Sequence, residues 1–326
     1  MLLSIVIPTY NRESVLTNTL SSIFSHTLLN NDYEVIVVDD GSTDKTINVV
    51  KEYAFKQNIK IRIFTQENKG PLLARYLGTQ NAKGKYIWYI DSGDEICDGA
   101  LDIVLNELKN EKADIYLVNY INVDVKGNTQ YIKIKQSESI GTFFDGYYPF
   151  SLWLKISKKD LLLYTYEKIK KENLIIGEDM CQSFEMVITN PTISKIDHYC
   201  YKYLHEANSL TSGCDDSSFV NAIKYINNRI NEMNIDIKEK FEYFAYSQLI
   251  VQYLLLRNNR KHYKEFYNMY RSLHIGNNKY IKYRYLTIIL VKIKKYIPIK
   301  EEYITNFYIR IIRSIYKNKK NNSITY

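Results

Sequence analysis

The stretch Lys85-Tyr-Ile-Trp-Tyr-Ile-Asp-Ser-Gly-Asp-Glu-Ile96 governs the reading of this chain. Residues 86–90 are apolar and β-prone, and a short continuous apolar run between polar flanks predicts a strand covered on both faces. Asp91, Ser92, Gly93, Asp94 and Glu95 follow at once. Three carboxylates in so short a space cannot continue a buried strand, because isolated buried charges are too costly, so the chain must leave the sheet there. In open α/β sheets that carboxyl end is where ligands bind. Acids at such a place suit a divalent cation, and a cation suits a phosphorylated ligand. The plainer alternative is an acidic turn in which Asp94 caps the next helix.

The segments before it repeat the arrangement. Residues 2–8 (LLSIVIP), 34–38 (EVIVV) and 59–65 (IKIRIFT) read as strands. Between the first two, Val15, Leu16, Thr19, Leu20, Ile23 and Phe24 recur at helical spacing. Further helices are expected from about Lys45, capped within Ser42 to Asp44 after a turn at Gly41, and over residues 72–81. Strand and helix alternating in this way predict a parallel sheet with right-handed crossovers. All carboxyl ends then share one edge, so Thr9, Tyr10, Asn11, Asp39, Asp40 and residues 91–94 should converge. Neither a Walker pattern nor GxGxxG is present to explain that edge. Farther on, the pattern predicts a helix over 101–110, a strand over 114–123, a helix opening at Gly177-Glu-Asp-Met180 and a strand over 192–204. From about Ser217 the chain becomes rich in lysine, tyrosine and helical spacing, which predicts two domains, 1–216 and a helical 217–326.

Composition narrows the class. A hydrophobic content of 45% suits a globular core. The start has no basic region, Pro8 interrupts the first apolar run, and no run approaches the roughly 18 apolar residues of a membrane span, so neither a signal peptide nor a transmembrane helix is expected. Cys97, Cys181, Cys200 and Cys214 form no CxxC pair, which fits a reduced cytoplasmic setting without a zinc site. The net charge of +8 is uneven: residues 219–326 hold 21 Lys/Arg against 7 Asp/Glu, and the remainder is mildly acidic. In that tail Ile304, Phe307, Tyr308, Ile311, Ile312 and Ile315 form an apolar stripe, with Arg310, Arg313 and Lys317 off it. Such a helix suits an anionic membrane surface, here the inner face of the cell membrane, or a subdomain whose stripes pack on one another. No recognition motif accompanies the charge, so no nucleic-acid partner is expected.

Five segments, SIVIPTYNRESVL, VIVVDDGSTDKT, NKGPLLARYLG, YIWYIDSGDEI and GEDM, occur in an order and spacing that resemble the family 2 glycosyltransferases of GT-A fold, over residues 1 to about 212. The resemblance implies an α/β sheet flanked by helices and inverting transfer from a nucleotide sugar, often UDP-linked, to a glycan or lipid-linked acceptor in surface polysaccharide or glycoconjugate synthesis. By matching position, Pro8, Thr9, Tyr10, Asn11 and Glu13 would line the nucleoside pocket. Asp40, with Asp39 beside it, would read uracil, and Arg75 would lie near the diphosphate. Asp91 and Ser92 fall in the family's acidic metal motif, and Glu178-Asp179 in its acceptor-side acid pair, with Asp179 as base. The sequence departs from the family at Gly93, where Asp is usual and is assigned to Mn²⁺ or Mg²⁺, and Asp91 or Asp94 would then take the cation. Tyr76 also replaces an Asn.

The chemistry accounts for so short a list. A nucleoside diphosphate leaves without protonation, so one carboxylate base suffices where hydrolases need two carboxyl groups. The ordinary alternative for Glu178-Asp179 is a pair of first-turn helix acids. His198 and His205 are expected to be surface or hydrogen-bonded rather than metal ligands, Lys155, Lys158 and Lys159 to form a solvated helix face, and Trp153 to pack in a core or interface. Two rival functions stay open at this point: a nucleotidyltransferase on a similar sheet, and a catalytically silent nucleotide-binding scaffold.

Overall fold

The computed structural model describes residues 1–24, 32–134, 143, 150–172, 174, 177–205, 217–233 and 237. Strands β1 (Leu3–Thr9), β2 (Tyr33–Asp39), β3 (Ile61–Thr65) and β4 (Tyr86–Tyr89) lie parallel in the order β3-β2-β1-β4. They alternate with helices α1 (Leu16–Phe24), α2 (Thr46–Gln57) and α3 (Pro71–Asn81). The apolar runs explain the order of burial: β1 and β4 are buried throughout. Ile5, Ile7, Val35, Val37 and Trp88 share one core cluster with Leu16, Leu20 and Ile23 of α1. Each such aliphatic side chain contributes about 1.5–3 kcal/mol of burial.

The second half of the sheet is mixed. β8 (Lys155–Lys158) inserts antiparallel between β4 and β6 (Ile115–Val123). β9 (Ile193–Leu204) runs parallel to β6, with a register shift after Val118. β5 (Glu95–Ile96) is antiparallel to β9, and β7 (Thr129–Ile132) to the far end of β6. Among the described residues the result is a nine-stranded sheet. Helices α4 (Ala100–Lys109), α5 (Lys159–Ile169), α6 (Glu178–Ile188) and α7 (Ser217–Glu232) complete the described elements. The inserted strand escapes a reading by pattern because it is four residues long and carries a lysine at each end. Lys155 is buried, Lys158 pairs with Asp114 at 2.8 Å, and Lys159 Nζ donates to the Ala82 carbonyl at 2.6 Å, so the expected solvated helix face does not exist.

The chain divides into two compact units, Met1–Asn228 and Arg229–Tyr326, with the division inside α7. The amphipathic basic segments of the tail lie outside the described residues.

Gly84 shows how tightly β4 is brought to β1. Its N–H donates to Ser4 Oγ at 2.8 Å, and a Cβ there would stand 2.4 Å from the Ser4 backbone nitrogen. Because backbone cannot swing aside as a side chain can, Gly84→Ala should destabilise the fold by about 1–3 kcal/mol. A denaturation midpoint equal to the parent's would show that the two strands separate freely here.

Candidate active site

Parallel register brings the strand ends together as expected. The Asp40 N–H donates to the Thr9 carbonyl (2.8 Å), the Gln66 N–H to the Asp39 carbonyl (3.0 Å), and the Ile90 N–H to the Val6 carbonyl (3.1 Å). The loops after β1 and β2 are then laced to each other. Asn11, at φ 51°, donates its N–H to Ser42 Oγ (2.9 Å) and accepts the Thr43 N–H on Oδ1 (2.8 Å). Glu13 Oε2 accepts the Lys45 N–H at 2.7 Å, and the Glu13 N–H donates to Asp44 Oδ2 at 3.1 Å. Pro8 and Thr9 end β1, and Tyr10 stands 40% exposed just beyond it. The hydroxyl oxygen of buried Thr9 has no hydrogen-bond partner among the described residues.

Asp39 and Asp40 are both buried, and both hold turns. Asp39 accepts the Ser42 N–H at 3.2 Å. Asp40 accepts Gln66 Nε2 (2.7 Å) and the Lys69 N–H (2.8 Å) on one oxygen, and the Gly70 N–H (2.8 Å) on the other. The Asp40 carboxylate thereby fixes the turn that leads into α3, whose second turn carries Arg75.

Arg75 joins the turn after β4 to the start of α6. Its Nη2 meets Asp91 Oδ1 at 3.0 Å, and its Nη1 meets Asp179 Oδ1 at 3.0 Å and Glu178 Oε1 at 3.3 Å. The guanidinium also lies 6.0 Å over the Tyr89 ring. Burial opposes its charge, and the charges of Asp179 and Asp91 outweigh that, so the group is held protonated. Its Nε is buried without a partner among the described residues. Glu178 and Asp179 form the first turn of α6, after Gly177 at φ 84°. Asp179 Oδ2 also accepts the Leu152 N–H at 3.2 Å.

The two acids of α6 differ in environment. Glu178 is pushed up to about 8, first by burial and then by the neighbouring Asp179 charge, with Arg75 only partly offsetting this. The folded chain therefore holds a proton that the unfolded chain releases between the ordinary carboxylate range and about pH 8, and native stability falls as pH rises through that window. Glu178→Gln removes this term. Its thermal midpoint, relative to the parent's, should improve from about pH 5 to about pH 8 in calorimetric scans. A constant difference across that range would mean the carboxyl titrates normally.

The acidic turn after β4 splits in two. Asp91 keeps 35% of its side chain exposed toward the edge, with Ser92 beside it. Asp94 turns inward: Tyr201 Oη donates to its Oδ2 (2.7 Å), and the Leu204 N–H donates to its Oδ1 (2.8 Å). It does not cap α4, whose N-cap is Gly99. Gly93 sits at φ 112°, a backbone that favours glycine, and its N–H donates to Thr19 Oγ1 at 3.0 Å. Among the described residues no group of three or more His, Cys, Asp and Glu side chains is placed to hold a metal ion. Asp94 is engaged inside the sheet, so of the two carboxylates expected to take a cation only Asp91 stays partly exposed, a donor set that suits a hydrated Mg²⁺ and not an all-protein cage.

Four flanking residues resolve as follows. Trp153 is buried and stacks on Tyr201 (4.4 Å between centroids) and Tyr203 (5.3 Å), so it is a core aromatic. His205 Nε2 lies 2.8 Å from Asn122 Oδ1, a hydrogen-bonded surface histidine, and His198 is exposed. Tyr76 Oη donates to Glu167 Oε1 at 2.6 Å, which turns it toward α5.

Comparison with known proteins gives the family and the fold. Residues 4–169 match the family model described as Glycosyl transferase family 2. An uncharacterized glycosyltransferase of Haemophilus influenzae is 31% identical over 174 residues, 53% of this chain and 68% of that protein. The poly(ribitol-phosphate) β-N-acetylglucosaminyltransferase TarS of Staphylococcus aureus is 31% identical over 130 residues, 40% of this chain but 23% of TarS. The crystal structure of S. aureus TarS 1–349 in complex with UDP-GlcNAc superposes with a TM-score of 0.58 at 23% identity, covering 75% of this chain and 71% of that one, and so shares its fold. With a match over half its length and the edge geometry described above, this chain belongs to glycosyltransferase family 2 and has the GT-A fold.

Proposed function

We propose that this chain is an inverting glycosyltransferase that moves a sugar from a UDP-sugar to a hydroxyl of a glycan or lipid-linked acceptor in surface polysaccharide or glycoconjugate synthesis. The observation that carries the reading is Arg75, which draws Asp91 of the donor side and Asp179 of the acceptor side to one guanidinium.

In this reading Pro8, Thr9, Tyr10, Asn11, Glu13, Asp39 and Asp40 form the nucleoside end, and Arg75, Asp91 and Ser92 the diphosphate end. Asp179 takes the proton of the acceptor hydroxyl as its oxygen bonds to the anomeric carbon. The bond from that carbon to the diphosphate breaks, its electron pair leaves on UDP, and configuration inverts. Glu178, held protonated near neutrality, is unsuited to be the base and orients its neighbour. Arg75 faces the charge that accumulates on the departing phosphate. A divalent cation at Asp91, Mn²⁺ or Mg²⁺, would supply further stabilisation of the same charge.

A panel of nucleotide sugars, scored for UDP release and for thermal stabilisation with Mn²⁺ or with chelator, tests the reading. UDP release from one of them is expected. Pyrophosphate release from a nucleoside triphosphate would mark a nucleotidyltransferase instead, and binding without turnover a scaffold. Asp40→Ala should weaken UDP binding by about 1.5–3 kcal/mol in calorimetry, through the lost charge-assisted contacts and the loosened turn at residues 66–70. Unchanged affinity would remove Asp40 from the nucleoside site.

The basic tail supports a second element of the proposal, peripheral attachment to an anionic membrane surface on the cytoplasmic side. No helix among the described residues is long and apolar enough to cross a membrane. Sedimentation with anionic liposomes at low salt should be lost on deleting residues 284–326, and an intact chain that ignores such liposomes would refute attachment.

A further inference from the structure

Lys155 opens β8 and is 1% exposed. A buried ammonium is costly unless it is well hydrogen-bonded, and an apolar side chain of similar length would fill the space more cheaply. Burial accordingly drags its pKa down to about 7, and the charge of Asp179 offsets only part of this. What the ammonium contributes is direction. Its Nζ donates to the carbonyl oxygens of Phe150 (3.0 Å) and Ser151 (2.8 Å).

Those carbonyls begin the turn that runs through the 3-10 segment Leu152–Leu154. The same turn is tied elsewhere: Ser183 Oγ of α6 donates to the Phe150 carbonyl (2.7 Å), and Trp88 Nε1 donates to the Trp153 carbonyl (2.9 Å). With its carbonyls turned inward, the turn presents the Leu152 N–H to Asp179 Oδ2 at 3.2 Å. The other Asp179 oxygen is held by Arg75. The carboxylate is thus fixed from two sides, one of them built on the buried lysine.

We propose that Lys155 is a positioning residue for sugar transfer: by gathering the Phe150 and Ser151 carbonyls it sets the Leu152 amide that orients the Asp179 carboxylate. The inference rests on Asp179 being the base.

The test compares the full-length parent with K155M, D179N and the double variant, using UDP-GlcNAc with water as acceptor. UDP release gives kcat, calorimetry gives UDP affinity, and hydrogen exchange follows the peptide over residues 150–154. For K155M, UDP affinity should stay within about twofold while kcat falls roughly 10- to 100-fold, the scale of a misplaced catalytic group. Exchange over 150–154 should quicken with β1 unchanged. The double variant should be no slower than D179N, because the lysine acts through that carboxylate. A slow D179N beside a K155M of parental kcat would overturn the positioning role and leave the base assignment standing. A D179N of parental rate would overturn the base assignment, and with it the catalytic meaning of Lys155. The exchange readout needs no turnover, and parental exchange over 150–154 in K155M would by itself overturn the proposal. Should K155M fail to fold, S183A removes one tie to the Phe150 carbonyl and keeps the ammonium. It should slow turnover roughly fivefold at unchanged UDP affinity, about the weight of one hydrogen bond, and parental kcat and exchange in S183A would overturn the proposal.

Discussion

Asp179→Asn is expected to slow transfer by about 10²-fold or more while UDP affinity scarcely changes. Asparagine keeps the size of the side chain and an oxygen for the Leu152 N–H, but it has no lone pair basic enough to take the acceptor's proton. On the donor side Arg75 loses one charged partner but keeps Asp91, and Asp40 is not among the partners shown for Asp179 or Arg75. Glu178→Gln should cost less, since Glu178 is pushed up to about 8 by burial and by Asp179 and so carries its proton near neutrality. The reverse ranking, with Glu178→Gln inactive and Asp179→Asn near normal, would move the base one residue back. Near-normal turnover in both would leave this segment an ordinary acidic helix start. Initial rates of UDP release, with UDP titrated by calorimetry, separate these outcomes.

Arg75→Met should be the most damaging single change for stability and activity together. The guanidinium is 5% exposed and is the counter-ion shown for Asp91 and Asp179 at the edge, with the protonated Glu178 carboxyl 3.3 Å from its Nη1. Removing one partner of a buried ion cluster typically costs about 3–5 kcal/mol, because the remaining charges stay desolvated and repel. Asp91, with 35% of its side chain exposed, can relax toward water, so the lower end of that range is expected in urea denaturation. Turnover should be lost as well, since the departing phosphate loses its fixed positive charge and Asp179 loses the bond on its Oδ1. Arg75→Lys should recover little, because one ammonium cannot reproduce the fork that meets separate carboxylates. Parental stability and kcat in Arg75→Met would show the three acids to be independent of it.

Local pattern determined the first half of this protein. The apolar runs at 2–8, 34–38, 59–65 and 86–90, with helical spacing between them, suffice for a parallel βα succession, and parallel topology alone then puts Thr9, Asp39, Asp40 and Asp91 on one edge. Strand periodicity and turn chemistry are properties of near neighbours, so they can be read without knowing what packs on what. Four of the five motifs of the family resemblance lie in or beside these elements and the fifth, GEDM, opens α6, which is why the family was legible too. Tertiary structure decided what depends on pairing across distance. β8 is four residues long and has no period of its own, and only its hydrogen bonds to β4 and β6 make it a strand. The three carboxylates around 91–95 look alike in sequence, yet Tyr201 and the Leu204 amide draw Asp94 inward while Asp91 stays at the edge. Lys155 sits in a cluster of three lysines that reads as solvated surface, and it is buried because the turn at 150–154 folds its carbonyls over it. Arg75 and Asp179 are 104 positions apart, and no spacing rule could have joined them. Burial and register assigned those roles, since a charge takes its function from the partners that replace its water.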